Sequence, residues 1–322
     1  MQKKKLVVMY GGPGGEHEVS VKSGENVFEA LDKNKYDAEK ILLSKNFKKF
    51  RQAQLDKWRH EKFLVLPIMH GKFGEGGEVQ SVLEKNKIKF IGCGSKVSKV
   101  CIDKFATQKV LIKSKILTPE TFVVKKQADI LKIKEGVFIV KQNDGGSSVD
   151  LFKVKTKTEL ERAVKTLLKK YGQCLVQEFV EGREFTCGVI QNKKKIIALP
   201  VTEIVLTKGD LFDYEAKYSV GGCEEVTPAK IDDKLRQKIQ IVSKKVFKAL
   251  GCRDLGRVDM ILGSNNRLYV LEINTMPGMT GTSLIPQQLA NFHNIEDSIL
   301  EEVKAAGMSV GTFFDIMIGN ER

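Results

Sequence analysis

Asp259, Glu272 and Asn274 carry oxygen donors inside two apolar segments, GRVDMIL (256–262) and LYVLEIN (268–274). Glu272 and Asn274 lie two apart on one predicted strand, so both side chains leave the same face. Asp and Asn are poor strand formers. Three such residues facing one way on adjacent strands make the donor set of a magnesium site. Two ions bridging ATP phosphates would fit it. A polar solvent face accounts for the alternation equally well, with Val258, Met260, Leu271 and Ile273 forming the core on the opposite parity. Two further segments hold candidate chemistry. In FIVKQNDGGSSV (138–149) a strand ending at Lys141 runs into a glycine-serine loop. Its backbone N–H groups and hydroxyls can wrap phosphates while the lysine adds a point charge; an ordinary hairpin turn has the same composition. In VQEFVEGREFT (176–186), Glu184 opens another strand, where a carboxylate can take ribose hydroxyls or simply face solvent.

The elements that must position these residues follow from hydrophobic periodicity. Lys5–Tyr10 and Phe63–Met69 read as buried strands, Val19–Leu31 and Val79–Lys85 as helices, Lys89–Ile91 as a further strand, and HGKFGEGGE (70–78) as a loop. This βαβ-like order predicts a small parallel-sheet domain ending near Gly94. Asp103–Lys113 and Glu159–Tyr171 read as helices. Thr121–Val124, Val137–Lys141, Leu151–Lys153 and Cys174–Glu178 read as strands of an antiparallel sheet. A third segment from about Phe179 holds several strands, a helix over Asp232–Leu250, and strands at Val258–Leu262 and Leu268–Ile273.

Composition narrows the function classes. The 322 residues are 42% hydrophobic, enough for two or three cored domains. The 54 basic and 40 acidic side chains give a net charge of +14. The lysines are spread along the chain with few aromatics among them, which reads as a solvated surface rather than a nucleic-acid platform. No apolar run reaches the roughly 20 residues of a membrane span. The start, MQKKKLVVMYGG, has too short an apolar run for a signal peptide and reads as the first strand. The six cysteines form no CxxC pair, and free thiols in the cytoplasm are expected. Neither GxxxxGK[ST] nor a strand-linked GxGxxG is present, which excludes a Walker loop and a dinucleotide fingerprint.

Taken together, GGPGGEHEVSVKSG (11–24), MHGKFGEGGEVQ (69–80), FIGCGSKVSKVCIDK (90–104), VKQNDGGSSV (140–149), FDYEAKY (212–218), LGRVDM (255–260) and LEINTMPGMTGTSLIP (271–286) resemble the D-alanine–D-alanine ligases of the ATP-grasp superfamily, in order and spacing. The resemblance implies a three-domain α/β (α+β) ATP-grasp architecture divided at 1–94, 95–178 and 179–322. It implies ATP-dependent condensation of two D-alanines through an acyl phosphate, for peptidoglycan precursor synthesis. The implied cofactors are ATP and two magnesium ions, with manganese a possible substitute. The implied state is a cytoplasmic homodimer with no nucleic-acid or membrane partner.

The carry-over also implies roles. Glu16 takes the ammonium of the first D-alanine, and His70 lies in the same pocket. Lys104, Lys141 and Lys217 match the phosphate lysines; Gln177, Glu178 and Val180 belong to the ATP site, and Glu184 matches the ribose acid. Asp259, Glu272 and Asn274 match the magnesium ligands. Arg257 and the Gly278 N–H match the oxyanion stabilisers, each preorganised donor typically worth about 3 kcal/mol of barrier. Ser283 and Leu284 match the holders of the second carboxylate. Ser147 and Tyr218 match a hydrogen-bonded set with Glu16, and a tyrosine at 218 accompanies D-alanine as second substrate.

Four departures stand out: Gln177 where a glutamate is usual, Asp150 after the GSSV loop, Gly76 in GEGGE, and a longer stretch over Ala290–Lys304. An inward-pointing Asp150 would weaken ATP binding. The rival readings are a ligase forming D-alanyl-D-lactate or D-alanyl-D-serine, and a catalytically silent nucleotide-binding or basic nucleic-acid-binding protein.

Overall fold

In the computed structural model, residues 2–145, 150–207, 222–292 and 308–320 are described. The first sheet is all parallel, in the order β2–β1–β3–β4 (Tyr36–Leu43, Lys4–Gly11, Leu64–Ile68, Lys89–Phe90). Its central strands are continuous apolar runs because both faces are covered. Leu6, Val8 and Tyr10 pack with Val27 of helix α1 (His17–Ala30) and with Phe313, Phe314 and Met317 near the C-terminus. Val7 and Met9 pack the other way, against Leu55 and Trp58 of α2 (Gln52–His60) and Leu83 of α4 (Glu78–Lys85).

The sequence reading missed β2 and α2. β2 is an edge strand with charged residues at Asp37, Glu39 and Lys40, and α2 buries only Leu55 and Trp58. The expected loop at 70–78 contains a short helix, α3 (Gly71–Glu75), its glycines masking the periodicity. A further helix, α5 (Ser95–Ile102), leads into α6 (Lys104–Lys113), which Asp103 caps by accepting from Ala106 N.

The second sheet is antiparallel, in the order β5–β8–β6–β7 (Thr121–Val124, Cys174–Glu178, Phe138–Lys141, Phe152–Val154). Helix α7 (Lys157–Tyr171) covers one face, with Leu160, Val164 and Leu167 packed on Phe138, Val140 and Val176. Its start is fixed by a reciprocal pair: Thr156 Oγ1 accepts from Glu159 N, and Glu159 accepts from Thr156 N.

The third sheet is antiparallel, in the order β11–β10–β9–β12–β13 (Cys223–Val226, Lys195–Leu206, Gly182–Asn192, Leu255–Gly263, Leu268–Asn274). Helix α8 (Asp233–Ala249) packs on it through Ile239, Val246 and Phe247, joined by Cys101 and Leu111 from α5 and α6. The last two helices among the described residues, α9 (Leu284–Ala290) and α10 (Val310–Gly319), pack onto the first and third sheets.

One expected detail of this sheet is corrected. β12 and β13 pair Asp259 with Glu272 but Met260 with Val270, leaving Leu271 as an extra residue. The bulge puts Leu268, Val270 and Ile273 in the core and leaves Leu271 half-buried, so the even alternation fails there. All six cysteines are free thiols. No helix among the described residues is long and apolar enough to cross a membrane.

Candidate functional site

Adjacent strands bring the carboxylates together. Asp259 and Glu272 are cross-strand partners, and Asn274 Nδ2 donates to Asp259 Oδ2 at 3.2 Å. Arg257 grips the Asp259 carboxylate with two bonds, Nε to Oδ1 at 2.9 Å and Nη2 to Oδ2 at 2.7 Å. Thr186 Oγ1, from β9, donates to the same Oδ1 at 2.6 Å. Glu272 pairs with Lys104, the first residue of α6, at 2.9 Å. The buried Asp259 and the partly exposed Glu272 thus each meet a cation, as low dielectric favours. Burial works against the Arg257 charge, but Asp259, Glu272 and Glu75 outweigh it and hold the guanidinium above its ordinary pKa.

Two carboxylates and an amide supply only oxygen donors, which suit a hard divalent cation. Among the described residues no cluster of three or more His, Cys, Asp or Glu side chains could hold a metal; the third donor here is an amide.

The second group lies on the face of the second sheet opposite α7. Lys141, buried at the end of β6, donates from Nζ to Gln177 Oε1 at 2.8 Å. Gln177 Nε2 then donates to Thr121 Oγ1 at 2.9 Å. Because a lysine only donates, it fixes which end of the amide faces it. That explains how Gln177 fits the chain: its oxygen is held by the lysine and its amino group by Thr121. Lys104 Nζ also donates to Gly145 O at 2.6 Å, tying α6 to the start of the glycine-serine loop. Glu178 is exposed at the end of β8, Val180 is half-buried just beyond it, and Glu184 stands on β9 beside Ile204 and Ile261. Asp150 turns away from this face. Its carboxylate accepts from Lys170 and Tyr171 on α7, and its φ of +55° is the left-handed conformation that glycine usually fills.

The third group forms at the C-terminal ends of β1 and β3. The strand order reverses between them, which opens a crevice. Glu16 occupies the N-cap position of α1 and lies against Gly71, whose φ is +71°; a Cβ there would meet Glu16 Oε2. His70 is buried beside it, and both ring nitrogens are engaged: Nδ1 with Met276 O at 2.8 Å and Nε2 with Ser23 Oγ at 2.8 Å. A carbonyl only accepts, so Nδ1 carries the proton and Ser23 donates to Nε2. Burial holds the ring below its ordinary pKa, against the Met276 carbonyl and Glu16. Gly278 and Ser283 are neighbours: a Cβ on Gly278 would lie 2.8 Å from Ser283 Oγ, which accepts from Thr280 N at 3.0 Å. Ser283 is the N-cap residue of α9 and Leu284 its first residue. Ser147, Lys217 and Tyr218 lie outside the described residues, as does 293–304 of the long stretch.

Several partners escaped the sequence reading. Thr186 and Thr121 carry no signal as isolated threonines. Ser23 and Glu75 lie inside quoted motifs and Asn26 just after one, yet only the fold shows what they hold.

Comparison with known proteins places the chain in a family. Residues 5–62 match the family described as D-ala D-ala ligase N-terminus, and residues 111–297 that described as D-ala D-ala ligase C-terminus. D-alanine–D-alanine ligase B of Clostridium perfringens is 35% identical over 318 residues, 98% of this chain and 97% of the relative. D-alanine–D-alanine ligase of Carboxydothermus hydrogenoformans is 36% identical over 310 residues, covering 92% and 97%. Among solved structures, the VanG D-Ala:D-Ser ligase of Enterococcus faecalis has a TM-score of 0.83 at 28% identity, covering 99% of both chains. D-alanine–D-alanine ligase of Bacillus anthracis complexed with ATP has a TM-score of 0.76 at 27% identity, covering 98% and 97%. The chain belongs to the D-alanine–D-alanine ligase family and has its ATP-grasp architecture.

Proposed function

We propose that the protein ligates two D-alanines to D-alanyl-D-alanine with ATP, as a cytoplasmic step in peptidoglycan precursor synthesis. The observation that carries this reading is the Arg257–Asp259 pair set beside Glu272 and Asn274, inside a chain of this family. The first carboxylate attacks the γ-phosphate, giving an acyl phosphate and ADP. The amine of the second D-alanine attacks that carbonyl, and phosphate leaves.

In this reading Glu16 orients the first ammonium, and Lys104, Lys141 and Lys217 bear the phosphate charge. Gln177, Glu178, Val180 and Glu184 line the rest of the ATP site. Asp259, Glu272 and Asn274 would hold two magnesium ions, or manganese, which supply charge neutralisation of the phosphates when bound. Arg257 Nε and Nη2 are taken by Asp259, so Nη1 is the edge free to turn toward the developing oxyanion, together with the Gly278 N–H. Asp259 thereby holds the fork preorganised. Ser283 and Leu284 receive the second carboxylate, and Ser147 and Tyr218 connect to Glu16. The domain division at 94 and 178 and a homodimeric state belong to the same proposal.

The test is phosphate release from Mg-ATP with D-alanine, with L-alanine as control and the product identified. D-alanine-dependent release with dipeptide formed supports the reading. No stimulation in folded protein overturns it. Competition between D-alanine, D-serine and D-lactate as second substrate decides between the dipeptide and the rival products.

A further inference from the structure

The turn between β13 and α9 carries Gly278, and the first domain's side chains hold it from both sides. On one side, Glu75 Oε1 accepts from Met276 N at 3.1 Å, and His70 Nδ1 donates to Met276 O at 2.8 Å. On the other, Ser23 Oγ accepts from Met279 N at 3.1 Å, and Asn26 Nδ2 donates to Met279 O at 2.6 Å. Both backbone polar groups of both flanking residues are therefore fixed by residues from more than 200 positions earlier. Met276 and Met279 are 3% and 0% exposed and sink into the core shared with β1 and β3. Glu75 Oε2 accepts in turn from Gly71 N at 3.0 Å, so one carboxylate joins the Glu16–Gly71 wall to the Gly278 turn. The bonds run in one consistent direction: Met279 N–H to Ser23 oxygen, Ser23 O–H to His70 Nε2, His70 Nδ1–H to Met276 O.

We infer that Glu75 and Ser23 are positioning residues, acting through His70 and the 276–279 backbone to aim the Gly278 N–H at the reacting carbonyl. This rests on the ligase reading above. A preorganised donor works only where its direction is set before the charge develops. Proline at 277 and glycine at 278 leave the turn with no side-chain anchor of its own at those two positions. Burial pushes the Glu75 carboxyl up to about 8, helped by Glu16 and opposed by the two backbone bonds and Arg257.

The test compares wild type with Glu75→Gln and Ser23→Ala. Glu75→Gln places an amide N–H₂ against one of two backbone N–H donors, and Ser23→Ala removes one hydroxyl while keeping the fold. The expected result is a kcat fall of about tenfold or more for Glu75→Gln and about fivefold for Ser23→Ala. The KM for ATP should stay within about twofold, and hydrogen exchange should rise in the peptide spanning 275–280 but not elsewhere. Unchanged kcat in folded Ser23→Ala overturns the inference. So does a loss of activity that tracks the unfolded fraction with exchange raised throughout. If wild type shows no D-alanine-dependent turnover, the ligase reading fails. The exchange contrast then still decides whether these side chains hold the turn: without a local rise in either variant, the positioning inference fails too.

Discussion

The first and third sheets use their strands in opposite ways. In the parallel first sheet both faces of β1 from Leu6 onward and of β3 are buried, so those strand residues are taken up by packing. Its polar groups, Glu16 and His70, sit just past the strand ends, where the strand order reverses. In the antiparallel third sheet, helix α8 covers one side, and Arg257, Asp259, Glu272 and Asn274 stand on the strands themselves. A bulge at Leu271 lies beside Glu272. Side chains on strands are cross-braced by their neighbours, whereas side chains past strand ends depend on backbone conformation. The first should fail electrostatically when cut, the second conformationally.

Arg257→Ala is the strongest way to break this contrast. It removes the proposed transition-state donor and leaves the buried Asp259 without its bidentate partner. D-alanine-dependent turnover should fall about 10²–10³-fold, with ATP binding still measurable by calorimetry. Normal turnover would refute the role given to the guanidinium. Glu272→Gln acts on the same face more mildly. It removes the charge that pairs with Lys104 and one proposed magnesium ligand. Mg-ATP affinity should drop about tenfold, the effect of roughly 1.4 kcal/mol. If titration with chelator shows the variant's magnesium dependence unchanged, the metal reading of this face fails.

What the sequence made legible follows from the same contrast. β1 and β3 were readable because a strand buried on both faces is an unbroken apolar run. β2 was not, since an edge strand carrying Asp37, Glu39 and Lys40 shows neither a run nor an alternation. Asp259, Glu272 and Asn274 were visible as misplaced polar residues in apolar strands. The pairing of Glu272 with Lys104 was not: the two lie 168 residues apart, and no local pattern encodes that distance. Leu271 was misassigned because a bulge is a property of the pairing between two strands rather than of either one. Glu75 looked like one acid in a glycine-rich loop. Its meaning comes from Met276, 201 residues away.

Gly71→Ala probes the loop side. The position has φ +71°, and the new Cβ would press on Glu16 Oε2. Left-handed strain of about 1 kcal/mol and a displaced carboxylate should raise the KM for D-alanine about fivefold, with the KM for ATP unchanged. Steady-state kinetics in each substrate separates these. A rise in both constants would mean that the two regions are not independent and would collapse the comparison.

Asp150→Gly should have the smallest effect and fixes where the proposed ATP-facing surface ends. The carboxylate is held below its ordinary pKa by Lys170, then Tyr171, so its charge is already balanced on α7 rather than directed at Lys141. Removing it deletes a partly exposed ion pair, typically worth 0 to about 1 kcal/mol. It also relieves a left-handed φ of +55° that glycine adopts freely. The two contributions oppose each other, so thermal stability should change by no more than a few degrees. The KM for ATP should stay within about twofold. A KM that falls severalfold would show that this negative charge reaches the phosphates, and the polar face of the second sheet would then extend past Lys141 and Gln177 into the loop.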